Sequence, residues 1–145
     1  MLREAATSGL LGVSLNTVRK YDDVLVANEV LVFGYPTSLG LKEISQLDPL
    51  RPLLRQGIVC WAESRYTTKL LVIDCAVYPG NSGGPVVEVD RNGFGANFRV
   101  IGVVREFVPF AETWINSPMN YANKTITNSG YAIATPMDFV LDLVK

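Results

Sequence analysis

The sequence predicts an all-β fold, a small six-stranded antiparallel barrel closed off by one helix. Three observations predict it. Runs of β-branched and aromatic residues recur along the chain, turn-forming residues separate them, and a helix-start signature falls near the C-terminus. Six strands of this length suit a small barrel.

The expected strands are 29–34, 56–62, 69–75, 85–89, 97–105 and 130–135, each rich in Val, Ile, Leu or an aromatic. The second and third are joined across 63–68. The fourth and fifth are joined across Asp90-Arg91-Asn92-Gly93, where Asn-Gly supplies the positive φ angles of a tight hairpin. The helix is expected to start at Thr135 as N-cap, with Pro136 in its first position and Asp138 near the positive end of the dipole. Phe139, Leu141, Leu143 and Val144 then form an apolar face for packing on the barrel. Two stretches read as long loops, 39–55 with Pro49 and Pro52, and 107–129 with Phe107, Phe110, Trp114 and Tyr121. Within the second, Asn123-Lys124-Thr125 fits a glycosylation sequon of a kind that also arises by chance.

The totals narrow the function classes. With 145 residues, 48% apolar and 19% charged, the chain is globular and long enough for one real core. A net charge of −1 with scattered basic residues offers no nucleic-acid footprint. Apolar runs such as 30–33 and 100–104 fall far short of the roughly 20 residues of a membrane span. Cys60 and Cys75 lack metal-ligand spacing and read as buried free thiols, and no cofactor is expected. The pair Asp22-Asp23 reads as a solvated turn.

The stretch Tyr78-Pro79-Gly80-Asn81-Ser82-Gly83-Gly84-Pro85 holds the chemistry. Taken alone it is either a glycine-rich corner or a scaffold for one hydroxyl beside convergent backbone N–H groups. Acyl transfer requires the second arrangement. The N–H groups of Gly80 and Ser82 can meet at one point if the intervening peptide curls, and each such donor contributes roughly 3–4 kcal/mol to the transition state.

The whole string, preceded by Asp74 and Pro79 and followed by a β-branched strand, resembles the nucleophile motif of trypsin-like serine peptidases, and its wider form, LVIDCAVYPGNSGGPVV, is most similar to their bacterial HtrA-type branch. The segments VLVFGYP at 30–36, QGIV at 56–59, VIGVV at 100–104 and 130–136 with the last helix resemble successive parts of that family's second barrel. The resemblance implies a Greek-key barrel over 24–145, with 1–23 a remnant of the first barrel and the linker between them. It implies that Ser82 is the nucleophile, that Gly80 and Ser82 supply the oxyanion hole, and that Ala76, Val104 and Ala132 shape the primary specificity pocket. Alanine at the pocket base implies a small or medium apolar residue on the acyl side of the cut bond, in a peptide or protein substrate. Asp74 takes a structural hydrogen-bonding role on the same grounds.

The family mechanism also needs a histidine base and an aspartate to orient it. This chain contains no histidine. Both partners are expected from a first barrel upstream, with Met1-Leu2-Arg3 as the tail of the strand after the aspartate, and the chain alone is expected to be inactive. Lys69 is the nearest upstream lysine, yet neither it nor Lys20, Lys42, Lys124 or Lys145 shows the desolvated setting that a serine–lysine pair requires. The alternatives are a non-catalytic trypsin-like module for peptide binding or assembly, and a self-associating half-barrel whose second copy covers the exposed apolar face.

Overall fold

The computed structural model describes residues 13–35, 44–48, 50–63, 68–93 and 95–144. Six strands form in chain order: β1 (Glu29–Gly34), β2 (Leu53–Trp61), β3 (Leu71–Asp74), β4 (Pro85–Asn92), β5 (Gly95–Asn116) and β6 (Tyr121–Pro136). A short helix α1 (Met137–Leu143) follows. The strands pair antiparallel in the order β1-β2-β3-β6-β5-β4, and β1 also pairs with β4, so the ring closes into a barrel. The fourth strand returns to lie beside the first, which is the Greek-key arrangement.

Alternation builds the core. Val30 and Val32 of β1, Leu71 and Ile73 of β3, Val86 of β4, and Ala132 and Ala134 of β6 all turn inward and are fully buried. Val59, Ile101, Val104, Cys75 and Val77 join them in one cluster. The small alanines on β6 leave room for the larger Leu71 and Ile73 on the strand beside it, since Leu71 lies opposite Ala134 and Ile73 opposite Ala132.

Four expectations are corrected. The largest concerns 107–129, which is not a loop. β5 and β6 run on past the barrel as a two-stranded arm, pairing in unbroken register from Pro109↔Asn128 to Asn116↔Tyr121. A single turn of 3-10 helix at Ser117–Met119 closes the arm, with Asn116 Oδ1 accepting from the Met119 N–H and Asn120 in the left-handed region. Second, residues 53–55 belong to β2, because they find partners in Val32 to Gly34 of β1; residues 39–43 and 49 of the expected loop lie outside the described residues. Third, the β4–β5 strands continue through Asp90, Arg91 and Asn92, and only residues 93 and 94 lie between the last pair, Asn92↔Gly95. Fourth, Thr135 still belongs to β6, so Pro136 takes the N-cap position with no side-chain cap, and Phe139, Leu143 and Val144 remain exposed. A helix this short cannot turn all four apolar residues onto the barrel. Met1-Leu2-Arg3, Lys42 and Lys145 lie outside the described residues.

The segment before β1 is tied firmly to the barrel. Val18 bridges to Val100, and Tyr21 and Val24 join the core cluster. Arg19 forks between Glu88 at 2.6 Å and Asp90 at 2.8 Å, and Glu88, fully buried, also accepts from Asn28 Nδ2 and the Leu25 N–H. The Tyr21 hydroxyl donates to the Glu63 carbonyl and accepts from the Glu63 N–H. The pair Asp22-Asp23 is exposed, as expected, although Asp22 reaches Lys69 at 3.4 Å.

Asp138, in the first turn of α1, accepts the Tyr21 N–H at 2.7 Å and faces the Lys69 ammonium at 3.0 Å. Partial burial opposes its ionisation, but these two donors outweigh it and hold the carboxyl below its ordinary value. A lowered folded pKa means stability that is complete above the ordinary carboxylate value and is lost as pH falls through the folded one. The Asp138→Asn variant is therefore expected to lose about 1–2 kcal/mol near neutral pH. It should also show a shallower acid decline than the parent below about pH 4, measured by urea unfolding across a pH series. An unchanged acid branch would show that Asp138 carries none of it.

Candidate active site

The turn is assembled from three sides. After β3, the Cys75 N–H donates to the Gly130 carbonyl at 3.1 Å, and Asn128 Nδ2 donates to the Val77 carbonyl at 2.6 Å. Both bonds pin the approach to the turn onto β6. Next, Tyr78 and Asn81 clasp each other: the Asn81 N–H donates to the Tyr78 carbonyl, and the Tyr78 N–H donates to Asn81 Oδ1, both at 2.9 Å. The Asn81 side chain is fully buried beneath the turn, and its Nδ2 finds no acceptor among the described residues. Finally the Gly80 carbonyl accepts the Tyr35 N–H at 3.0 Å, which fastens the turn to the end of β1.

Gly80 sits at φ +96°, a torsion that a side chain would strain, and it lets the chain double back before the serine. Gly83 and Gly84 then rejoin the sheet. The Gly83 N–H donates to the Val104 carbonyl and the Val104 N–H to the Gly84 carbonyl, each at 2.9 Å. Ser82 is exposed at the apex, and its Oγ donates to the Arg105 carbonyl at 3.1 Å. Among the described residues, neither the Gly80 nor the Ser82 N–H donates to a main-chain carbonyl.

The residues expected around the pocket are placed differently from one another. Ala76 is half-buried between buried Cys75 and Val77. Val104 on β5 and Ala132 on β6 are enclosed in the core, Val104 opposite Ala134 and Ala132 opposite Phe107. A shallow groove lined by Val18, Arg19, Lys20, Asp23, Leu25 and Arg99 shares no residue with the turn.

Charged and thiol groups near the turn have other duties. Lys69 bonds Asp138 and Asp22 rather than Ser82, and the Asp138 bond leads the effects that raise its pKa. Lys20 and Lys124 are exposed. Asp74 is exposed at the end of β3, and its carboxylate has no hydrogen-bond donor among the described residues, so the structural bond expected of it is not seen there. Both cysteines are free thiols, Cys75 buried as expected but Cys60 only half-buried, and desolvation, followed for Cys60 by the Asp74 charge, raises the pKa of both. Tyr78 packs under the Arg55 guanidinium, 4.7 Å from its ring centre.

Asn81, Asn128 and Arg105 act on the turn without having been legible in that role. Asn81 lies inside the motif, and a polar residue at the centre of a glycine turn was the available signal. Asn128 and Arg105 gave none, because their contacts join residues far apart in the chain.

Residues 6–96 match the model of the trypsin-like peptidase domain. Among solved structures the chain is similar to an HtrA-type protease, AlgW, with a tripeptide, at 20% identity and a TM-score of 0.51. The likeness covers 88% of this chain and 34% of that one, so the chain spans about a third of that protease's length. No curated protein matches. The domain match over residues 6–96 and the Greek-key barrel place this chain in the trypsin-like peptidase family.

Proposed function

We propose that the chain is the nucleophile-bearing half of a serine endopeptidase, with its histidine and aspartate supplied by a first barrel outside these 145 residues. Residues 24–145 form the second barrel, and 1–23 are the linker and the remnant of the first. Ser82 attacks the scissile carbonyl, the histidine takes the Oγ proton and hands it to the leaving amine, and water then hydrolyses the acyl-enzyme. The N–H groups of Gly80 and Ser82 hold the oxyanion. Ala76, backed by Val104 and Ala132, selects a small or medium apolar residue on the acyl side.

One observation carries this reading: an exposed serine whose own N–H and that of Gly80 have no main-chain acceptor among the described residues, on a turn anchored to β1, β5 and β6. A carbonyl acceptor, Arg105, cannot serve as a base for Ser82, which fits an inactive chain. A non-catalytic module for peptide binding or assembly is the second reading, favoured by that same engaged hydroxyl.

Two labelling experiments test the proposal. Treated with a fluorophosphonate probe, the chain alone is expected to react no faster than Ser82→Ala, and rapid stoichiometric labelling would overturn the split triad. Extended at its N-terminus by its own upstream coding sequence, the protein is expected to be labelled and to hydrolyse casein. Ser82→Ala should then lower the turnover by roughly 10⁶. Absence of labelling in the extended protein favours the non-catalytic module.

A further inference from the structure

The ladder between β3 and β6 stops at the pair Asp74↔Tyr131, yet the chain from Cys75 to Val77 stays fastened to β6. It meets that strand where it bulges. Between the pairs Phe107↔Ala132 and Pro109↔Asn128, a single β5 residue, Val108, stands against residues 129–131 of β6. Gly130 lies there at φ +89°, in the left-handed region. Ser129 secures the bulge to β5: its Oγ donates to the Val108 carbonyl at 2.6 Å and accepts the Tyr131 N–H at 3.2 Å.

The bulge holds the segment at both ends. The Gly130 carbonyl accepts the Cys75 N–H at 3.1 Å, and Asn128 Nδ2 donates to the Val77 carbonyl at 2.6 Å. The carboxamide is itself oriented, because Asn128 Oδ1 accepts the Gly130 N–H at 2.9 Å. Ala76 hangs between the two bonds. It is half-buried between buried Cys75 and Val77, and a methyl group is too small to fix its own depth by packing. Among the described residues no main-chain N–H donates to the Val77 carbonyl, so the far end of the span depends on the Asn128 side chain.

We propose that Asn128 is the positioning residue of the acyl-side pocket, setting through the Val77 carbonyl the depth at which Ala76 closes it. The inference rests on the reading of Ser82 as nucleophile and Ala76 as pocket base, and it adds the residue that decides which acyl-side residue fits. Val104 and Ala132 are locked in the core, so the base is the part of the pocket whose place is set by hydrogen bonds instead of packing. Room for one more or one fewer methylene changes discrimination between side chains by roughly tenfold or more. Held shallow, the base favours alanine and valine. Released, it admits leucine. The contact falls before the Tyr78–Asn81 clasp, which keeps its own bonds, so Asn128 acts on selection and not on the bond chemistry at Ser82.

The test uses the N-terminally extended protein and fluorogenic peptides that differ only in the acyl-side residue, Ala, Val, Leu or Phe. Asn128→Asp keeps the shape and the acceptor for the Gly130 N–H, but it turns a carboxylate oxygen toward the Val77 carbonyl and repels it. The leucine-to-alanine ratio of kcat/KM is expected to rise roughly tenfold over the parent, and Asn128→Ala should move it in the same direction. A ratio cancels any general loss of activity. Equal losses for all the peptides would overturn the proposal and leave Asn128 a structural brace. Hydrogen exchange in the 145-residue chain reads the clamp without catalysis. Asn128→Asp should speed exchange of the Cys75 and Tyr78 N–H groups roughly tenfold, and unchanged exchange would overturn the proposal as well. Fluorophosphonate labelling of the extended parent reads the other claim. No labelling removes the nucleophile and the pocket with it, whereas labelling with an unmoved ratio removes the role of Asn128 alone.

Discussion

Arg19→Ala is expected to destabilise the domain by about 3–5 kcal/mol. Glu88 is fully buried on β4, and Arg19, its side chain 16% exposed, supplies its only ionic partner among the described residues, at 2.6 Å. Truncation leaves a buried carboxylate with neutral donors from Asn28 and Leu25, and frees Asp90 on its outer side. It also loosens the segment that Val18, Tyr21 and Val24 seat on the barrel. Removing one partner costs more than the pair is worth, because the remaining charge stays desolvated. The double variant Arg19→Met/Glu88→Leu should therefore recover much of the loss. Urea unfolding measures both, and a loss below about 1 kcal/mol in Arg19→Ala would show that solvent reaches Glu88 easily.

Gly84→Ala is expected to cost about 3 kcal/mol or more and to displace the serine turn. A Cβ there would lie 1.9 Å from the Phe33 carbonyl oxygen and 2.9 Å from the Asn81 carbonyl oxygen. Both are backbone atoms, so relief requires β1 and the turn to separate rather than a side chain to swing. Gly83→Ala is the internal control. Its Cβ meets open space, and only its φ of +86° is strained, at about 1–2 kcal/mol. Thermal unfolding of the two variants should separate them clearly. Equal losses would mean that the approach of β1 to the turn is not the tight contact described here.

The barrel was largely legible in the residues. β1 ran over the expected span to the residue, because Glu-Val-Leu-Val-Phe-Gly alternates cleanly between core and outer face. The turn at 78–85 was legible for a similar reason, since glycine and proline act locally through their own torsions. The arm was not. Its Thr, Asn and Pro residues give no periodicity that separates a strand from a loop, and both its faces are exposed, so no buried side marks the register. Its pairing had to be decided by β5 and β6 meeting in space.

The amino-acid order by itself determined the strand pattern, the all-β class and a serine set among glycines without any histidine in the chain, because these depend on composition and on contacts between near neighbours. Only the tertiary structure decided that Arg19 neutralises Glu88 and that Asn128 and Arg105 brace the serine turn. Those contacts join residues distant in the chain. Their geometry is set by closure of the barrel, which no local pattern records.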